Sequence, residues 1–413
     1  MTQSKISSRA LTLIGTIITQ FALGSVYTWS LFNSGLAHKL SEPVNQVAFS
    51  FGLLSLSLAI ASSISGKLQE RFGVRNVTIA AGLLMGIGFG LTSVSNSLIM
   101  LYICGGILLG FADGTGYLMT LSNCVKLFPE KKGLISALSI GAYGLGSLGF
   151  KYINLFLLNH YSLATTFQVW GLIAMVMILI GACMMHDAPN LPTQRGTSRF
   201  NTNVQDLTLA QSMTRPQYWM MALIFLTICM SGLYIIGVAK DIGQNYAHLG
   251  FEYAAQSVAI IALANLLGRL VLGILSDKMS RIRVVSIAVA FSLAGMAILL
   301  FTPLNSVWFF AAVACIAFSF GGTITVYPSL ISDFFGMQNL TKNYGFIYLG
   351  FGVGSLTASV VASLLGGFIP TFYLIFTLLV ISLFLTLVVK APQSASDKSQ
   401  SIQPRHHNLQ HAN

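Results

Sequence analysis

The chain alternates between long apolar stretches and short polar breaks. Splitting it at the breaks gives twelve apolar runs, 11–37, 47–67, 76–95, 98–125, 134–158, 166–186, 217–239, 253–275, 284–302, 307–332, 343–368 and 371–390. A helix rising about 1.5 Å per residue needs about 20 residues to cross the hydrocarbon of a bilayer, and each run is of that order. The pattern predicts an all-α membrane protein of twelve spans. The only long internal break, His186 to Pro216, is rich in Asn, Thr, Gln and Pro and has no apolar period. It reads as a linker, 187–216, between a six-helix bundle over 1–186 and a second over 217–390. Residues 391–413 are Ser, Gln, Asn and His and predict a disordered tail; His406, His407 and His411 read as part of that polar tail, so no metal site is expected.

Composition agrees with the pattern. With 54% hydrophobic and 8% charged residues and a mean hydropathy of +0.76, there are too few charges to build a water-facing surface. The first run is too long for the apolar core of a secretory signal and has no small-residue cleavage context, so it is expected to remain as the first span. Cys104, Cys124, Cys183, Cys229 and Cys315 fall singly inside apolar runs, which predicts buried thiols, not disulfides or metal ligands.

The net charge of +11 would suit a nucleic-acid partner if it were clustered, but its placement follows topology instead. Assigned to alternate sides of twelve spans, 18 of the 22 Lys and Arg fall on one side: Lys5, Arg9, Lys67, Arg71, Arg75, Lys126, Lys131, Lys132, Arg195, Arg199, Arg215, Lys278, Arg281, Arg283, Lys342, Lys390, Lys398 and Arg405. Basic residues are retained on the cytoplasmic side, so both termini are expected there and no nucleic-acid partner is expected.

The halves repeat. GKLQERFGVR at 66–75 aligns with GILSDKMSRIR at 273–283, GLGSLG at 144–149 with GVGSLT at 352–357, and Gly114-Thr115 with Gly322-Thr323, at constant offset. Such spacing indicates duplication. In the two loop copies, Gly66 and Gly273 would allow close helix approach, while Glu70, Arg71, Arg75, Asp277, Lys278 and Arg281 would form a charge network or meet helix ends, latching one conformation. The plain alternative is generic loop charge. Glycines at 82, 86 and 90, at 106, 110 and 114, and at 350 and 354 predict close-packed ridges on the third, fourth and eleventh helices.

Three ionisable residues stand well inside runs, where a charge costs several kcal/mol and is kept for a pathway, ligand or partner. Lys151 is expected to snorkel to the outer interface. Asp113 lies about 20 Å of helix from Lys126, near the midplane, and suits a structural pairing, a buried neutral acid or proton coupling. Arg269 lies about 12 Å from Asp277, and its planar fork is the natural bidentate site for a carboxylate, with Asn265 one turn earlier on the same face. Tyr27, Tyr117, Tyr143, Tyr234, Tyr327 and Tyr348 each carry a hydroxyl that needs a partner at depth, and as a set suit either a cage for a small anion or helix packing. There is no GxxxxGK[ST], GxSxG or HExxH pattern and no paired carboxylates at helical spacing, so neither an enzyme nor a bound cofactor is expected.

Over residues 10–390 the chain resembles the oxalate/formate antiporter family of the major facilitator superfamily, in its lactate/pyruvate-type monocarboxylate branch among enterobacterial inner-membrane proteins. The likeness rests on ALGSVYTWSLF at 22–32, GFADGTGY with KLFPEKKGLISA through 137, RPQYWM at 215–220, NLLGRLVLGILSDK at 265–278, and YPSLISDFFG with NYGFIYLGFGVGS through 355. The resemblance implies that the helix-eight arginine, here Arg269, anchors the substrate, and that aromatics of helices one, four, five, ten and eleven enclose it. The family's oxalate carrier adds a lysine on helix eleven; aligned on NYGFIY, that position is Phe351. One cation suits one carboxylate, so the expected cargo is a monocarboxylate such as pyruvate, lactate or formate, moved by proton symport or by anion exchange, by a protein compatible with a monomer. The alternatives are efflux of amphipathic drugs, which the buried arginine disfavours, and a non-transporting anion sensor, for which no signalling module is visible.

Overall fold

A computed structural model describes residues 2–128, 132–188, 206–336 and 339–390, and all regular structure among them is helical. The long helices are α1 (Thr2–Leu23), α2 (Val44–Phe72), α3 (Val74–Ser93), α4 (Leu98–Leu127), α5 (Lys132–His160), α6 (Leu163–Met184), α7 (Pro216–Asn245), α8 (Phe251–Lys278), α9 (Arg281–Phe301), α10 (Ser306–Phe335), α11 (Leu340–Leu364) and α12 (Phe368–Val388). Among the described residues, eleven helical spans are long and apolar enough to cross a membrane, and α5 is a further helix of 29 residues. Large apolar side chains such as Ile103, Leu172, Ile274 and Leu387 are exposed, as expected where lipid replaces water.

Three boundaries depart from the apolar runs. The first run is not one regular helix: after Leu23 the chain tightens into a 3-10 segment, Gly24–Leu31, and continues as a short helix, Asn33–Leu40. The seventh helix does not stop with its apolar run at 239 but continues through Lys240 and Asp241 to Asn245. The expected linker holds a short helix, Leu209–Met213, started by a capping box between Thr208 and Gln211. Residues 189–205 of the linker and the tail with His406, His407 and His411 lie outside the described residues.

Packing follows the glycine ridges only in part. Gly110 and Gly114 face the carbonyl oxygens of Leu54 and Leu58, so close that an added Cβ would collide with the α2 backbone. Gly82 and Gly86 pack on Ile178 and Met175 of α6, whereas Gly90 faces open space. The close approach expected at the loop glycines is absent: nothing lies within 4 Å of a Cβ at Gly66, and Gly273 meets only Thr325 Cγ2 at 3.5 Å.

The two halves touch through α2 with α11, α5 with α8, and the Gly24–Leu31 segment with α7. Their hydrogen bonds gather at the helix ends farthest from the linker, here termed the distal side. Asn33 Nδ2 donates to Gly237 O (2.8 Å) and to Asp241 Oδ2 (2.7 Å), Ser34 Oγ to Asp241 Oδ1 (2.9 Å), and Lys240 Nζ to Leu31 O (3.2 Å). Lys151 does not snorkel. It is buried, its Nζ donating to Gln256 Oε1 across the interface (2.7 Å) and lying 4.3 Å from the ring of Tyr152. Among the described residues these hydrogen bonds between the halves all lie toward the distal side.

Two outcomes follow from this packing. Gly114→Val should drive α4 off α2 and lower thermal stability by about 1–3 kcal/mol, whereas Gly90→Ala should leave it unchanged, as read by a detergent melting assay. Asp241→Ala removes two acceptors bound across the halves, bonds to a charged group worth about 1.5–3 kcal/mol. With the native cysteines replaced by serine, a cysteine at Leu31 should then react about tenfold faster with an impermeant maleimide. Unchanged labelling would mean that Asp241 does not hold the distal side shut.

Candidate functional site

A cavity of about 10 Å³, with room for about one water molecule, lies between the halves. Tyr27 on the 3-10 segment, Leu58 on α2, Tyr117 on α4 and Tyr143 on α5 form one wall; Arg269 on α8, Ile324 on α10, and Tyr348 and Phe351 on α11 form the other. Close backbone approaches set both walls. A Cβ at Gly24 would strike Tyr143 O, which brings the 3-10 segment against α5 and turns Tyr27 and Tyr143 edge to face, ring centroids 5.2 Å apart. On the other wall, Gly268 and Gly321 set α8 and α10 backbone to backbone, Gly268 on Phe318 O and Gly321 on Asn265 O, in the turn that carries Arg269. Pro328, inside α10, has no N–H for the carbonyl of Ile324, one turn back on the cavity wall.

Arg269 is 7% exposed. Its Nε donates to Asn265 Oδ1 at 2.8 Å, which fixes the plane of the guanidinium, while its Nη1 is buried without a partner. Asn265 does not line the cavity, and its Nδ2 is also buried and unpartnered. A buried donor without an acceptor is costly, and an anion in the cavity accepting from Arg269 Nη1 would relieve that cost. Around them the ring faces are ordered: Tyr117 and Tyr143 meet edge on at 5.0 Å, and Tyr348 stacks on Phe351 at 5.3 Å. Phe351 thus closes this wall of the cavity with an apolar ring.

Asp113, fully buried, stands behind this wall: Tyr143 OH donates to its Oδ2 at 2.9 Å, and its Oδ1 has no partner. Gln20 Nε2 ties α1 to the same helix, donating to Tyr117 O (2.8 Å) and Thr120 Oγ1 (3.0 Å).

Not every expected cage residue belongs here. Tyr327 is absent from the cavity wall; its hydroxyl donates to Met221 O at 2.6 Å, which binds α10 to α7. Tyr234 packs on Phe372, away from the site. Leu58 and Ile324 do line it, but as aliphatic residues on apolar helices they carry no chemical signature in sequence. Lys240 and Asp241 lie past the end of their apolar run and so do not stand out as interior charges; the signal available is an adjacent Lys-Asp pair directly continuing that run.

The two loop motifs do not form one network. Arg75 Nη2 donates to Cys183 O (3.2 Å) and Met185 O (3.3 Å) at the end of α6, while Asp187 Oδ1 accepts from Val74 N (2.8 Å) at the start of α3. These contacts satisfy helix-end groups inside the first half. Arg281 instead pairs with Asp333 and bonds Ser329 O (3.4 Å) inside the second. Glu70, Arg71, Asp277 and Lys278 are exposed, Arg71 lying over Phe72.

The family model of the Major Facilitator Superfamily matches residues 12–339 and 239–410. The chain is 65% identical over 351 residues to an uncharacterized MFS-type transporter of Escherichia coli K12, YhjX, covering 84% of this chain and 86% of that one. It is 26% identical over 355 residues to the oxalate:formate antiporter of Oxalobacter formigenes, covering 84% and 81%. The nucleoside transporter NupG, solved in a mutant form, superposes with a TM-score of 0.71 at 10% identity over 92% of this chain and 99% of NupG, a likeness of fold.

The geometry separates Tyr327 from Asn265. Tyr327→Phe should lower the melting temperature slightly, for a bond worth about 1 kcal/mol, and leave anion affinity unchanged. Asn265→Ala frees the guanidinium to rotate and should weaken binding of a small carboxylate probe by about tenfold, measured by titration calorimetry on the purified protein.

Proposed function

The chain belongs to the major facilitator superfamily, whose members carry small solutes across a membrane, and we propose that this one is a secondary transporter of small monocarboxylates such as pyruvate, lactate or formate. The observation that carries the reading is the buried Arg269 Nη1, without a partner, on the wall of a small aromatic cavity built by both halves. An arginine fork takes a carboxylate by two parallel N–H···O bonds, and the phenols of Tyr27, Tyr117, Tyr143 and Tyr348 would surround the short remainder of the molecule. A dicarboxylate would bring a second negative end against Phe351, where leaving it unpaired costs several kcal/mol. The named cargo of the antiporter relative supports a carboxylate; the single cation supports a smaller charge than oxalate carries.

In this reading the site is exposed to one side at a time as the halves rock about it. Arg269 has no counterpart in the first half, where the repeat offset places Ser62, so the anion is anchored by the second half and covered by the first. The linker side, rich in basic residues, is assigned to the cytoplasm of a bacterial inner membrane. Glu70, Arg71, Arg75, Asp277, Lys278 and Arg281 then stand where the closed linker side would form.

Uptake of labelled pyruvate into proteoliposomes tests this directly. Pyruvate should saturate and compete with lactate and formate, with oxalate weaker by at least about a hundredfold, as expected for a buried unpaired charge. Arg269→Lys, which keeps the charge but loses the fork, should remove most transport. Oxalate exchange as tight as that of pyruvate would sink the monocarboxylate reading.

A further inference from the structure

We propose that Asp113 is the proton-binding group of the transport cycle and that Tyr143 links it to the anion cavity, so that each monocarboxylate crosses with one proton. The inference rests on the reading of Arg269 as the carboxylate anchor and adds the second ion to it.

Three observations support this assignment. First, Asp113 has no route to solvent of its own. It is fully buried, and Gly110 and Gly114, on the turns either side of it, are seated on the carbonyls of Leu54 and Leu58. Second, its two oxygens differ. Oδ2 accepts from Tyr143 OH, and Oδ1 is buried with no donor. A proton from the cavity can reach Oδ2 through the Tyr143 hydroxyl, which passes its own proton to the carboxylate and regains one on the cavity side, so the carboxyl can be loaded and unloaded without a water path of its own. Tyr143 itself forms part of the cavity wall, so a single hydrogen bond joins the carboxyl to the space the anion fills.

Third, a proton on Asp113 balances the charge that a bound anion brings. The titratable or charged side chains facing Asp113 are Tyr143 from α5, Tyr27 from the 3-10 segment and Tyr117 from its own helix, with Arg269 and Tyr348 across the cavity. From α2 the facing groups are backbone carbonyls, and the ionic side chains of α2 and α3, Lys67, Glu70, Arg71 and Arg75, stand at the linker ends. Among the described residues, then, one cation and one carboxyl serve the cavity, and they are not paired with each other. Empty, Arg269 and an ionised Asp113 sum to zero. A bound monocarboxylate adds one negative charge in a site with little water, and one proton on Asp113 restores neutrality. The step is Asp113 carboxylate plus a proton giving the acid on loading, and the reverse on release.

The test counts protons in proteoliposomes that hold a pH-sensitive dye and receive labelled pyruvate. The wild-type protein should take up one proton per pyruvate, and a gradient of one pH unit should drive about tenfold accumulation. Asp113→Asn should lose gradient-driven accumulation and the pH dependence of uptake, with pyruvate–pyruvate exchange reduced far less. Should that variant not fold, Tyr143→Phe decides, since it keeps the carboxyl and should shift the pH of half-maximal uptake; an unmoved profile overturns the assignment. Pyruvate uptake without protons, or one proton per pyruvate in Asp113→Asn, also overturns it while leaving the carboxylate reading intact. Absence of pyruvate flux in both modes overturns both.

Discussion

The structure depends on what it costs to keep a guanidinium between two helical bundles in a membrane. Arg269 Nη1 is buried without an acceptor, a cost that an anion bound beside it would relieve. Other features of the region bear on that cost. Asn265 holds the Nε, the Gly268 and Gly321 contacts fix the turn beneath it, and the aromatic rings leave room for about one water molecule.

Much of this was legible in the sequence, because bilayer physics writes itself in long apolar runs and makes interior charges conspicuous. The long helices follow from the apolar runs, whereas the grouping of Tyr27, Tyr117, Tyr143, Tyr348, Phe351 and Arg269 on one cavity was implied by the family resemblance, spacing alone leaving the tyrosines open between a cage and helix packing. What stayed hidden is what depends on partners far apart in the chain. Tyr327 and Tyr143 look alike in sequence, yet one hydroxyl meets a backbone carbonyl of α7 and the other a carboxylate on α4. Lys151 is long enough to reach toward the interface along its own helix, but a glutamine of α8 holds it inside. At Lys240 and Asp241 hydropathy falls and suggests the end of a span, whereas the helix persists until Asn245 and spends both charges across the halves.

The duplicated scaffold is used unequally. Both halves keep the loop motif, but Arg75 serves helix ends in one half and Arg281 a carboxylate in the other. The buried guanidinium of Arg269 belongs to the second half alone, and the buried carboxyl behind the cavity to the first. A symmetric fold thus brings two unlike ionic groups to a common interface, an arrangement that neither bundle holds by itself.

The distal ties between Asn33, Ser34, Lys240 and Asp241 make the resting protein lopsided. A ligand approaching from that side meets only the fraction of molecules in which those bonds are open, and its apparent affinity is weakened by that fraction. If the ties hold the closed form by about 1.4 kcal/mol, the same cavity will bind about ten times less tightly from the distal face than from the linker face. The protein would then act as a rectifier at low concentrations, though its binding groups are identical in both directions.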